Sequence, residues 1–242
     1  ARIEAIEAEG GKVTVVEGSY DDAVDLAAAA AGDRCLVVSD TSWPGYEQIP
    51  RWVIEGYTTM FWEIQDAMAA KVQRGPDALV VPIGVGALAS AAVMWADAGI
   101  MPRPVVVGVE PAAVPSMTRS VEAGHRVRIP GPHHTIMSGL CCGTPSLVAY
   151  PIVEAGVEWF VTISDESAIA AMRALAEIGI TAGETGAAAT AGLTEVITRP
   201  DAAALRESLA PLDEATIVVL STEGATDPAS YEVHVSSGGE GR

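Results

Sequence analysis

Apolar positions fall along this chain in two rhythms. Short continuous apolar runs occupy residues 78–83, 105–109, 159–163 and 216–220, and stretches with helical spacing lie between them. The runs predict buried strands of a parallel sheet, and the stretches between them predict its crossover helices, over about 49–72, 88–98, 165–177, 187–197 and 202–210. Ser164 stands where an N-cap belongs before the helix at Asp165, and Gly179 stops that helix. Ser19 likewise caps a helix from Tyr20 to about Ala31, with Asp21 and Asp22 in the first turn, where acidic charge suits the dipole, and Gly32 ends it. Residues 12–16 and 35–38 read as two further strands, the second apolar enough to be buried. Residues 1–9 read as the end of a helix with Ile3 and Ile6 on one face. The rhythm thins across 125–149, which is rich in Gly, Pro, His and Thr, and 236–242 reads as a flexible terminus.

Strand–helix–strand spacing of this kind predicts an α/β fold: mainly parallel, twisted sheets with flanking helices and right-handed crossovers. A domain seldom opens in mid-helix with a βαβ unit that lacks its first strand. Residues 1–50 are therefore expected to be the remainder of a smaller domain whose N-terminal part is missing from this chain, and 51–242 a larger, ligand-binding one.

Composition narrows the function. The chain has 242 residues, enough for one large domain or one and a half. Hydrophobic residues make up 49% but aromatics only 5%, so the core must be built mainly from Ala, Val, Ile and Leu. A net charge of −18 would repel phosphate backbones, which argues against a nucleic-acid partner. An anionic cofactor would have to be held by local backbone dipoles or a local cation. Cys35, Cys141 and Cys142 form no disulfide framework. The opening residues carry charges every few positions, unlike a signal peptide, and no apolar run approaches membrane length, so a soluble cytoplasmic protein is expected.

Several segments could carry chemistry. Gly84-Val85-Gly86-Ala87 joins a strand to a helix, where glycines let the backbone approach a phosphate and the helix N-terminus offers free N–H groups. The same turn could bind nothing. It also fits a relaxed dinucleotide fingerprint, GxGxxA, with Glu110 ending the next strand where a ribose-binding acid belongs, so a nicotinamide oxidoreductase competes. Gly183 to Ala189 is a second small-residue turn, in which the Thr185 hydroxyl could face a ring nitrogen or serve an ordinary capped helix. Asp40 follows a strand-like run and precedes Thr41-Ser42-Trp43; partly desolvated it could work as a base, or it could form an Asx turn. His133, His134, Cys141 and Cys142 match no standard zinc spacing, so no metal site is expected. The histidines are placed in a loop near a site entrance, and Met137, Leu140 and Cys141 in the core.

Taken together, these segments resemble pyridoxal phosphate (PLP) enzymes of fold type II, the tryptophan-synthase-β fold, and within them the diaminopropionate ammonia-lyase family. The residues that carry the resemblance are Asp40 to Pro50, Glu55 to Met60, Gly84 to Ala87, Val109 to Pro111, Thr135 to Pro145, Ala182 to Ala187 and Thr222 to Asp227, in family order over nearly the whole chain. The glycine turns are generic. The segments beginning at Asp40 and Thr135 are specific and count against the oxidoreductase reading.

The resemblance implies that Gly84, Val85, Gly86 and Ala87 cradle the PLP phosphate, that Thr185 meets the pyridine nitrogen, and that Asp40 handles the substrate's Cα proton or its amines. It implies α,β-elimination of a small amino-acid substrate, 2,3-diaminopropionate, to pyruvate and ammonia. A threonine or serine ammonia-lyase and a non-catalytic remnant that binds a partner are the alternatives. A homodimer is implied too, while the lack of a membrane-length apolar run argues against membrane association. One departure is large: the only lysines are Lys12 and Lys71, and neither sits where a Schiff-base lysine belongs. In the family that lysine lies upstream of the segment matching Ala1. The chain thus resembles the C-terminal two-thirds of the enzyme, and the lysine is expected on a missing N-terminal segment or a separate polypeptide. Alone, the chain is expected to show no lyase activity.

Overall fold

A computed structural model describes residues 2–72, 74–99, 101–209 and 211–236. Four strands, β1 (Ala78–Pro82), β2 (Val105–Pro111), β3 (Trp159–Ile163) and β4 (Ile217–Val219), form one sheet in the order β3-β2-β1-β4. Every pairing is parallel, with Val80 opposite both Val107 and Val219. Parallel neighbours require crossovers, and helices supply them. In chain order the helices are α1 (Arg2–Ala8), α2 (Tyr20–Ala29), α3 (Gln48–Lys71), α4 (Ala87–Ala96), α5 (Ser116–Ala123), α6 (Tyr150–Gly156), α7 (Asp165–Glu177), α8 (Ala188–Thr198), α9 (Ala203–Ser208) and α10 (Pro228–Ser236), and the crossovers are made by those from α4 to α9.

The sheet divides two cores. Leu79 and Val81 of β1 join Ile54 and Phe61 of α3 and Ala89 and Val93 of α4 on one side. Ala78 and Val80 join Met172 of α7 and Ala188 and Ala191 of α8 on the other. This alternation explains why β1 is apolar at every position: both of its faces are buried. Phe61 is fully buried and stacks on Trp95 with ring centroids 5.9 Å apart, tying α3 to α4 in a chain with few aromatics.

The two strands expected at 12–16 and 35–38 are not formed. Both segments are irregular or extended, apart from an isolated bridge between Gly32 and Cys35. Val15, Leu36 and Val38 are 67%, 78% and 71% exposed, so the second segment is not buried either. Alternating β-branched residues set a preference for extended backbone, but a strand also needs a neighbour to pair with. Ile3 and Ile6 of α1 are exposed as well. Three helices, α5, α6 and α10, fall where no helix is expected from the sequence; Ser236, expected in the terminal tail, ends α10, and the rest of that tail, 237–242, lies outside the described residues. No helix among the described residues is long and apolar enough to cross a membrane.

Candidate active site

The C-terminal end of a parallel strand is where crossover loops leave room for a ligand. Here β1 ends at Pro82 and the chain turns through Gly84, Val85 and Gly86 into α4. Gly86 caps the helix with φ of 100°, a left-handed conformation that a side chain would strain, and no side chain caps the helix in its place. The first N–H groups of α4 and its positive dipole end are thus presented to whatever occupies the space above them.

That space is a cavity of about 360 Å³. Its floor is the turn from Gly84 to Leu88, and one wall is the short 3-10 turn Ser138–Leu140 with Cys142 behind it. Gly84 approaches this wall closely: a Cβ there would lie 3.0 Å from the Gly139 carbonyl oxygen. Thr185 stands beyond, and its Oγ1 accepts a hydrogen bond from the Gly139 N–H at 3.2 Å. The Thr185 N–H in turn donates to Glu223 Oε1 at 3.1 Å. Gly186 lets the two segments meet, since a Cβ on it would collide with the Glu223 carbonyl oxygen. The slot between the helix terminus and Thr185 is therefore built from backbone and small side chains, which suits a flat ligand.

Asp40 lines the same cavity from a pinned stretch of backbone. The Tyr46 hydroxyl donates to the Val37 carbonyl at 2.9 Å and accepts from the Ser39 N–H at 3.0 Å, while the Tyr46 ring stacks on Trp43 at 4.3 Å. Two residues beyond Asp40, the buried hydroxyls of Ser42 and Ser146 lie 2.7 Å apart, and the Ser42 oxygen accepts the Val148 N–H at 2.8 Å. Burial raises the Asp40 carboxyl above its ordinary value; hydrogen bonds from its own N–H, the Tyr20 hydroxyl and the Thr41 N–H oppose the rise. Burial also raises the Cys142 thiol, which stays protonated at neutral pH.

All six residues singled out by sequence, Asp40, Gly84, Val85, Gly86, Ala87 and Thr185, line this one cavity. Tyr20, Tyr57 and Glu223, to which the sequence reading gave no role at the site, line it too. The capping pattern around Ser19 places Tyr20 at the start of α2, but nothing local reports that it borders this cavity. Glu110 is not at the site. It is 1% exposed, and its carboxylate accepts the Met117 and Thr118 N–H groups, each at 2.8 Å, at the start of α5. A carboxylate so buried and engaged cannot receive a ribose, which removes the oxidoreductase reading. Burial pushes its carboxyl up to about 7.

His133 and His134 line a neighbouring cavity together with Tyr20 and Ser138. Met137 and Leu140 are core residues; of the adjacent cysteines it is Cys142 that is buried, at 5% exposure, whereas Cys141 is half-buried. Lys12 and Lys71 are both exposed, and neither lines the cavity.

A phosphate-ready helix terminus, a hydroxyl facing it across a flat slot and a half-buried carboxylate define a class of cofactor site. The chain belongs to the pyridoxal-phosphate dependent enzyme family, whose model matches residues 1–223. Its cofactor is pyridoxal 5'-phosphate and its fold is PLP fold type II, a parallel sheet with flanking helices. More particularly, the chain is similar to diaminopropionate ammonia-lyase. It is 30% identical to that of Salmonella typhimurium and 32% identical to that of Escherichia coli K12, over 98% of this chain and 61% of each relative. The crystal structure of the Escherichia coli enzyme in complex with an aminoacrylate-PLP azomethine reaction intermediate superposes with a TM-score of 0.88 at 32% identity, covering 98% of this chain and 62% of that one. The threonine deaminase of T.th. superposes at 0.62 with 28% identity over 72% of this chain and 58% of its own. The chain thus spans about 61% of the length of the curated relatives it matches.

Proposed function

We propose that this chain forms the phosphate-binding and proton-handling part of a PLP-dependent carbon–nitrogen lyase that converts 2,3-diaminopropionate to pyruvate and ammonia. The observation that carries the reading is convergence: the uncapped α4 terminus, Thr185 and Asp40 meet on one cavity of about 360 Å³, the size of a small cofactor site. The donor set fits the cofactor. Gly84, Val85, Gly86 and Ala87 hold the phosphate through backbone N–H groups. Thr185 Oγ1 already accepts from Gly139, so its own hydrogen is available to donate to the ring nitrogen. A neutral hydroxyl does not keep a proton on that nitrogen as a carboxylate would, which moderates electron withdrawal and favours elimination. When bound, the cofactor supplies a sink for the electrons left when the substrate Cα proton is removed.

Asp40 takes that proton or protonates the departing β-amine. Its carboxyl, raised by burial, is better matched to proton transfer near neutral pH than an exposed aspartate. The Schiff-base lysine is supplied by a polypeptide segment outside this chain. Residues 1–50 belong to a smaller domain and 51–242 to a larger PLP-binding one, and the assembled enzyme is a cytoplasmic homodimer. Similarity to threonine deaminase favours a second reading, ammonia-lysis of threonine or serine.

The test is intact mass of native material after borohydride reduction, with and without added PLP. A reduced adduct on a second, lysine-bearing polypeptide is expected. An adduct-free preparation with no second polypeptide would overturn the reading, and so would lyase turnover by the 242-residue chain alone.

A further inference from the structure

Arg2 opens α1, a helix that buries none of its residues. Its guanidinium nevertheless joins two segments that line the active-site cavity. Nη1 donates to the Ser138 hydroxyl in the 3-10 turn, and Nη2 donates to the Thr226 hydroxyl at 3.3 Å. Nη2 also lies 3.6 Å from Glu223 Oε2. The planar fork of an arginine suits acceptors on separate segments, because its donors point in fixed and different directions.

These contacts close a circuit around Thr185. Glu223 Oε1 accepts the Thr185 N–H at 3.1 Å, and the Glu223 carbonyl oxygen accepts the Gly183 N–H at 3.1 Å. Thr185 Oγ1 accepts the N–H of Gly139, the neighbour of Ser138, at 3.2 Å. The path runs from Arg2 through Ser138 and Gly139 to Thr185, and back through Glu223 to Arg2. Glu184, beside Thr185, is engaged by α10 instead: its Oε1 accepts the Ser230 hydroxyl at 2.6 Å and lies 3.8 Å from His234 Nε2.

We propose that Arg2 is a positioning residue for the cofactor ring: by holding Glu223 and Ser138 together it fixes the direction of the Thr185 hydroxyl. The proposal rests on the reading of Thr185 as the donor to the ring nitrogen. A threonine side chain has three staggered positions, so its own backbone does not choose among them. The Gly139 N–H chooses one by donating to Oγ1, and the Thr185 hydrogen is then free to point into the slot. That choice holds only while the Ser138–Gly139 turn and the Thr185 backbone keep their spacing, and Arg2 spans the two. The Arg2 and Glu223 side chains are 49% and 19% exposed, so the ion pair itself adds little to stability. Its effect is geometric, since each bond in a closed network restrains the next.

Arg2→Ala opens the circuit at an exposed position and retains the fold. The first readout needs no ligand: native-state hydrogen exchange of the Thr185 amide, followed by NMR on the 242-residue chain. Exchange is expected to quicken by about 3- to 10-fold in Arg2→Ala. Unchanged exchange would overturn the proposal. The second readout is calorimetric binding of two probes, pyridoxine 5'-phosphate and its analogue with a C–H in place of the ring nitrogen. Arg2→Ala is expected to weaken the first by about 3- to 10-fold and the second by less than about twofold, because only the first can accept from Thr185. Equal weakening of both would show a general structural role and overturn the proposal, and so would no weakening of either. If the parent binds both probes alike while Thr185 exchange quickens in Arg2→Ala, the ring-nitrogen reading fails and the Arg2 circuit around Thr185 stands.

Discussion

Replacing Glu110 by glutamine isolates one buried charge and its effect on stability. Glu110 is 1% exposed and accepts three hydrogen bonds at the start of α5: the Met117 and Thr118 N–H groups at 2.8 Å and the Thr118 hydroxyl at 2.5 Å. Burial outweighs those donors and lifts the carboxyl from its ordinary 4.5 to about 7. Between these values the folded chain holds a proton that the unfolded chain has released. Stability from this group is therefore fully present below 4.5, declines as pH rises, and is lost above about 7. A shift of about two and a half pH units, at about 1.4 kcal/mol each, amounts to roughly 3 kcal/mol. The Glu110→Gln amide does not titrate, so the stability difference between parent and variant contains this effect with all other groups cancelled. Urea unfolding at steps from about pH 5 to about pH 8 measures it. The parent is expected to lose roughly 2–3 kcal/mol relative to the variant over that span. A difference flat to within about 0.5 kcal/mol would refute the reasoning. A difference of the opposite sign would show that the α5 donors, and not burial, set the charge of Glu110.

Gly86→Ala places a side chain at φ of 100°, with its Cβ 2.5 Å from Met117 Cε, and should cost about 1–3 kcal/mol in denaturant titration. The same variant should weaken binding of phosphorylated ligands, measured by calorimetry. Ser146→Ala strips the Ser42 hydroxyl and N–H, which lie 2.7 Å and 3.1 Å from Ser146 Oγ, of that partner, with an expected loss of about 1–3 kcal/mol in thermal melts. Phe61→Ala empties the contact between α3 and α4 where Phe61 stacks on Trp95, and should lower the free energy of unfolding by about 3–5 kcal/mol.

The parts of the fold legible in the sequence were those governed by local rules. The strand at 159–163 and the helix at 165–177 follow from an apolar run, a serine cap and a stop glycine, and they stand where those signals put them. The glycine turn into α4 was legible for the same reason. What failed was whatever depended on a partner distant in the chain. Residues 12–16 and 35–38 have strand composition but no neighbour to pair with among the described residues. The α5 helix has no capping side chain of its own at its start and begins where the Glu110 carboxylate, from the end of β2, accepts its first N–H groups. At the site, residues chosen for their chemistry converged on one cavity, but Tyr20 was visible only as the start of a helix. That it lines the same cavity as Asp40 appears only once the chain is folded.

The central claim is that the α4 terminus holds a phosphate and Thr185 a ring nitrogen in one cavity. Pyridoxine 5'-phosphate cannot form a Schiff base, so it tests that claim without interference from Lys12 or Lys71. Calorimetric titration of the chain with pyridoxine 5'-phosphate and with unphosphorylated pyridoxine is the most direct measurement. The account expects binding of the phosphorylated ligand alone, weakened by Gly86→Ala and by Thr185→Val. Equal affinity for the two ligands, or binding of the phosphorylated one that both substitutions leave untouched, would contradict it.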